Sequence, residues 1–237
     1  MLEIVFFNHA YKLKKIAIVL CGVFLLGLTS VRDTAAAPDV VLQLAADVLT
    51  DSLSLSGVGI PKSEFSEARG LAIFPNIHPA EQLEGVAILR TESGRWSGPV
   101  FIRLEDRNLT ERIKSEAMDI VFVLRSRNIV DHLQEGRLHL GRPGDAEAAS
   151  SRLHADADDR PVTYKAYMRA RQAFKIVPNV KADLFFDFEA NESYYGMNYI
   201  RLSDILSGDV SSELASGNRL TCLLAPFSGT AQICRVY

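Results

Sequence analysis

Hydrophobic and polar positions change period several times along the chain, and each change predicts a change of element. Residues 39–53 (DVVLQLAADVLTDSL) place Val41, Leu44, Ala45, Val48 and Leu49 on one face, with Asp39, Gln43, Asp47 and Asp51 largely opposite. That spacing predicts an amphipathic helix packed on a core. A loop (LSGVGIP) leads to a second short helix, opened by Pro61 and closed by Gly70, residue types suited to a helix start and a helix cap. From Gly70 the text turns strand-like. LAIF (71–74), GVAILR (85–90) and WSGPVFIRL (96–104) are rich in β-formers and separated by turn signals. IVFVL (120–124) is a continuous apolar run, as in a strand buried on both faces. Asn128 to Gly136 reads as a capped helix, Leu138 and Leu140 flank His139 in a short strand, and residues 141–161 carry five acids in a solvated loop. Residues 163–177 suit either a strand or a helix. In 181–188, Lys and Asp point outward and Leu184, Phe186 and Phe188 inward, a strand. Few helices and many strands without βαβ alternation predict an α+β fold: an antiparallel β-sheet or barrel-like core with a few packed helices.

The N-terminus reads differently. Residues 16–28 (IAIVLCGVFLLGL) form an apolar run preceded by Lys12, Lys14 and Lys15 and followed by TSVRDTAAA. This is the layout of a secretory signal, shorter than the roughly 20 apolar residues of a spanning helix. The expected domains are a signal peptide over 1–37, a globular domain over 38–208 and a C-terminal extension over 209–237. The implied location is periplasmic or secreted, with peripheral membrane association as an option and an uncleaved anchor as the alternative.

The whole chain of 237 residues carries a formal charge of -3, so no overall basic field draws it onto nucleic acid. An exported context favours a disulfide between Cys222 and Cys234 over two buried thiols. Zinc is not expected, since no CxxC or HxxxH occurs.

Several segments, taken in order, resemble a known family: GLAIFP (70–75), GRWSGPVF (94–101), DIVFVL (119–124), and ANESYYG (190–196) followed by Ile205 and Leu206. Their order and spacing are similar to the SYLF domain, and the likeness covers about residues 40–208. The resemblance implies an α+β domain with an antiparallel sheet that binds phospholipid, often anionic, without catalysis or cofactor. Where family members carry glycine-rich segments, this chain reads HPAEQLE (78–84) and EDRNLTE (105–111). Beyond residue 208 the expectation is a terminal hairpin closed by the Cys222 to Cys234 bridge.

The sharpest local charge feature is residues 160–182, with six basic groups, no acid, and interleaved Tyr164, Tyr167 and Phe174. If 163–175 is extended, period two puts Lys165, Tyr167, Arg169, Arg171 and Lys175 on one face. Such a stripe suits phosphate head groups, at about 1 kcal/mol per basic residue near an anionic surface. The competing reading pairs these groups with Asp183, Asp187 and Glu189 across a hairpin, or with the acidic loop at 145–159. Trp96 reads as a core aromatic, and Tyr194, Tyr195 and Gly196 as closing the sheet. Enzyme signatures are weak: His78, His132, His139 and His154 are scattered, and Asp119 is a lone carboxylate without a paired base. The expected partner is a phospholipid or membrane surface, with an envelope protein as a further candidate and an envelope interaction protein without lipid binding as the alternative reading.

Overall fold

The computed structural model describes residues 37–54, 58–78, 83–106, 117–126, 128–141, 163–170, 173–210 and 215–230. The expected signal, except residue 37, the acidic loop beyond Gly141, Arg171 and Cys234 lie outside the described residues.

Helix α1 (Pro38–Ser54) begins one residue before the predicted span, with proline in its first turn. Its buried row is Val41, Leu42, Ala45, Ala46, Val48, Leu49 and Ser52, while Leu44, predicted inward, is exposed. The row is this wide because α1 packs both on the sheet and against the last helix. Helix α2 (Lys62–Glu67) stops short of Gly70. Its end has no glycine cap, because the Arg90 guanidinium donates to the carbonyls of Phe65, Ser66 and Ala68, groups a helix end otherwise leaves unpaired.

Eight strands follow: β1 (Gly70–Ile77), β2 (Leu83–Leu89), β3 (Val100–Asp106), β4 (Met118–Leu124), β5 (Leu138–Leu140), β6 (Tyr164–Arg169), β7 (Lys175–Val177) and β8 (Ala182–Phe186). Helix α3 (Ile129–Gln134) lies between β4 and β5. The order across the sheet is β5-β8-β3-β2-β1-β4-β6-β7, and every neighbouring pair is antiparallel. The sheet curls into a half-barrel, within the predicted α+β class. Residues 163–169, legible as helix or strand, are strand because β4 offers a full ladder from Asp119↔Arg169 to Leu124↔Tyr164, which overrides a modest helix propensity.

Both faces of the sheet are covered. Strand β4 sends Ile120, Phe122 and Leu124 into one cluster with α3 and α5 (Leu202–Ser207). Val121 and Val123 enter the other, with α1, α2, α4 (Phe188–Tyr195) and α6 (Ala215–Leu224). Burial on both sides is why β4 reads as an unbroken apolar run.

Three expectations are corrected. Strand β8 is not the hairpin partner of 163–175; it lies between β3 and β5 at the other end of the sheet. Phe188 does not continue it inward, because Asp187 caps α4 by accepting a hydrogen bond from Ala190 N at 3.1 Å. In place of a terminal hairpin, residues 215–224 form α6, followed by a 3-10 turn over Ala225–Phe227. Leu220 and Leu224 on α6 are fully buried, and residues 36–237 form one compact unit. The proposed partner of Cys222, Cys234, lies outside the described residues.

Candidate functional site

The basic stretch is built on β6, where strand pleating places Lys165, Tyr167 and Arg169 on one face. That face is the one α1 and α2 cover. Lys165 Nζ lies 2.6 Å from Glu64 Oε1 on α2, and Arg125 Nη2 lies 2.6 Å from the other Glu64 oxygen and 2.9 Å from Glu67. Glu64 is buried. Burial works to raise its pKa, but hydrogen bonds from Lys165 and Arg125, and then their charges, outweigh it and hold the carboxyl below its usual range. Tyr167 is buried beside this group. Desolvation first, then the Glu64 charge and a hydrogen bond to it, push the phenol pKa up to about 12.

Arg169 makes a second junction. Its guanidinium reaches Asp119 on β4 at 2.8 Å and Asp51 on α1 at 2.7 Å, and it lies 4.9 Å over the Phe174 ring. Only 13% of its side chain is exposed. Burial works to lower its pKa, but the hydrogen bonds and charges of Asp51 and Asp119 outweigh this and raise it. Asp119 also accepts from Asn76 N at 3.0 Å, where Asn76 has φ 51° beside the register shift of β1. The lone carboxylate of the sequence is thus a three-way structural clamp.

The rest of the predicted stripe divides. Arg171 lies outside the described residues. Lys175 opens β7 opposite Met168, and Ile176 opposite Tyr167. Cross-strand partners share a face, so Lys175 is on the side opposite Lys165, Tyr167 and Arg169, and Ile176 takes the stripe position. The cause is parity: the chain turns between 169 and 175, and period two does not continue through a turn. The predicted cross-strand partners Asp183, Asp187 and Glu189 follow β8 to the far end of the sheet, where Asp183 pairs with His139 at 2.5 Å and Asp187 meets Arg103 at 3.5 Å. Among the described residues, the solvent-facing side chains near β7 include Lys175, Ile176 at 61% exposure, Val58, and Lys165, whose side chain is 40% exposed. Val58 adjoins β7 through its carbonyl, which accepts from Phe174 N at 2.8 Å.

The segments that carried the family resemblance meet one another. Asn191 on α4 is fully buried; its carbonyl accepts from Phe101 N at 3.0 Å and its amide donates to Phe101 O at 2.8 Å. The Tyr194 ring centroid lies 5.1 Å from that of Phe101. Tyr195 Oη donates to Pro99 O at 2.7 Å, and burial raises its pKa. A Cβ on Gly98 would stand 2.7 Å from that hydroxyl, so the close approach requires glycine. Gly196, at φ 64°, ends α4 in the left-handed conformation.

Sequence reading missed Glu64, Asn191 and Arg90. Arg90 donates to five main-chain carbonyls, those of Phe65, Ser66, Ala68, Gly94 and Phe227, and stacks 4.3 Å from the centroid of buried Trp96. Its acceptors are backbone atoms of the neighbouring turn at Gly94 and of two distant segments, so no side-chain pattern signals them.

Residues 113–225 match the family model described as Ysc84, Las17-binding protein actin regulator. No curated protein matches the chain. The matched stretch takes in β4, α4, α5 and α6, and with them the DIVFVL, ANESYYG and Ile205-Leu206 segments. Residues 113–225 of the chain thus belong to the SYLF, or Ysc84, domain family.

Proposed function

We propose that this protein is an exported, non-enzymatic phospholipid-binding domain of a cell envelope, contacting anionic head groups beside strand β7. Family membership supports lipid or actin-related binding as a class, and the basic and apolar N-terminal run supports export. The observation that carries the lipid reading is Ile176, a large aliphatic side chain 61% exposed on a sheet-edge strand, on the same face as Lys165 and with the exposed Lys175 on the other face of that edge. An apolar side chain for the acyl boundary beside a cation for phosphate is the pairing a peripheral membrane contact uses. Lys165 adds a half-exposed ammonium on the Ile176 side, whereas Tyr167 and Arg169 serve the reading by holding β6 in place. Arg171 completes the set on sequence grounds.

The test is vesicle co-sedimentation of the full chain with zwitterionic and anionic phospholipid across a salt series. Binding to anionic vesicles should weaken as salt rises and fall with Lys175→Glu and with Ile176→Ser, at unchanged melting temperature. Absence of binding to both vesicle types would sink the lipid reading and favour an envelope interaction protein.

A further inference from the structure

Three large exposed apolar side chains fall within one stretch of chain after β8, on α4 and just beyond it. Tyr199 is 89% exposed, Phe188 58% and Met197 42%. Glu192 ties them together: its carboxylate accepts from Tyr199 N, its carbonyl accepts from Met197 N at 3.2 Å, and Phe188 lies one helical turn before it on α4. Phe188 uses part of its ring on Phe186, 4.9 Å away. Tyr199 has φ 59°. A bulky aromatic in the left-handed region is an outlier, and strain of this kind persists where surrounding groups impose it. Here the Glu192 carboxylate holds the backbone while the ring stands in water.

We infer that this stretch is a docking site for a protein segment that presents an apolar side chain flanked by Lys or Arg. The charge around the patch selects that occupant. Glu189 and Glu192 lie on the same helix as Phe188, and the two cations flanking this stretch are already engaged, Arg201 by Asp204 at 3.2 Å and Arg103 by Asp187 at 3.5 Å. A second copy docking isologously would set these carboxylates against themselves, and an anionic bilayer would repel them. Size points the same way. At roughly 200 Å² per aromatic side chain, the three groups offer a few hundred Å², short of the roughly 800 Å² each partner buries in a standard complex, so the patch fits a linear segment better than a folded face.

The probes are three short labelled peptides, alternating Lys-Leu, Lys-Ser and Glu-Leu, titrated by fluorescence anisotropy against the full chain. The Lys-Leu peptide should bind in a salt-sensitive manner, with the other two weaker by about tenfold or more. Tyr199→Ser, alone and with Phe188→Ser, should weaken the Lys-Leu peptide by about tenfold at an unchanged melting temperature for the single variant, and Glu189→Lys should flatten the salt dependence. Equal binding by wild type and both serine variants would overturn the assignment, as would absence of peptide binding. Loss of neutral phosphatidylcholine vesicle binding on Tyr199→Ser would overturn it in favour of a membrane. Failure of the anionic-lipid reading leaves this result untouched, since the two surfaces share no residue.

Discussion

At the scale of single residues, two polar side chains, the fully buried Asn191 and the partly buried Arg90, hold backbone groups that the ladders of strand and helix leave short of partners. Asn191 gives Phe101 the donor and acceptor that a neighbouring strand would supply, at the end of β3 where the ladder to β8 runs out. Asn191→Leu leaves the buried Phe101 N–H unpaired, while Phe101 O keeps the hydrogen bond from Asp187 N at 3.0 Å; at about 1–3 kcal/mol for such a group, urea unfolding should show a loss of that size. Arg90→Lys replaces a five-carbonyl fork by a single ammonium, which cannot span it; the expected loss is about 2–3 kcal/mol by the same measurement. The SYLF segments were legible as an ordered set of residues, and the structure gives their physical content: Gly98, Pro99 and Phe101 are the contact partners of Asn191, Tyr194 and Tyr195. Which backbone atoms they serve was not legible, because a buried asparagine and a surface one look alike in a string of letters.

At the scale of elements, the layer formed by α1 and α2 is attached to the sheet by ions as well as by apolar contact. Arg169 joins α1 to β4 and β6, while Lys165 and Arg125 join α2 to β6 and to the chain after β4. Arg169→Glu sets a carboxylate beside Asp119 and Asp51, and removal of one partner from such a largely buried pair costs about 3 kcal/mol or more. A large fall in melting temperature is therefore expected, in contrast to Lys175→Glu. The attachment is also sensitive to pH at both ends. The pKa of Glu64 is lower folded than unfolded, so its contribution is present above the ordinary glutamate pKa of about 4.3 and is lost as pH falls through the lower folded value. The phenol of Tyr167 shifts the other way, up to about 12. Its contribution is complete below the ordinary tyrosine pKa of about 10 and is lost as pH rises from there toward about 12. Unfolding free energy measured against pH should fall at both extremes. Glu64→Gln should flatten the acid limb and Tyr167→Phe the alkaline limb; an unchanged limb in either variant contradicts the assignment. Period two correctly put Lys165, Tyr167 and Arg169 on one face, but it could not say that helices would cover that face.

At the scale of the whole molecule, strand order is the part that local pattern leaves open. Apolar runs identified most strands, yet consecutive β7 and β8 sit near opposite ends of the sheet, and nothing in the residues of Pro178 to Lys181 encodes that crossing. Closure depends on groups far apart in sequence: Tyr164 on β6 donates to Val180 O just before β8. The C-terminal segment shows the same dependence. Leu220 and Leu224 fill the space beside α1, Arg219 reaches Asp47 at 2.9 Å, Phe227 packs on Phe65 with ring centroids 5.3 Å apart, and Gly229 N donates to Gly94 O at 3.2 Å. Residues 215–230 are thus part of the core that the family segments build. Ending the chain at residue 208 removes two buried leucines, each about 2–3 kcal/mol of burial, together with one of the five carbonyls that satisfy Arg90. Against a total stability of about 5–15 kcal/mol, that loss is large enough to open α1. The truncated protein should bind a hydrophobic dye and be cut by protease within α1 under conditions where the full chain resists, and equal resistance would show that the extension is dispensable to the fold.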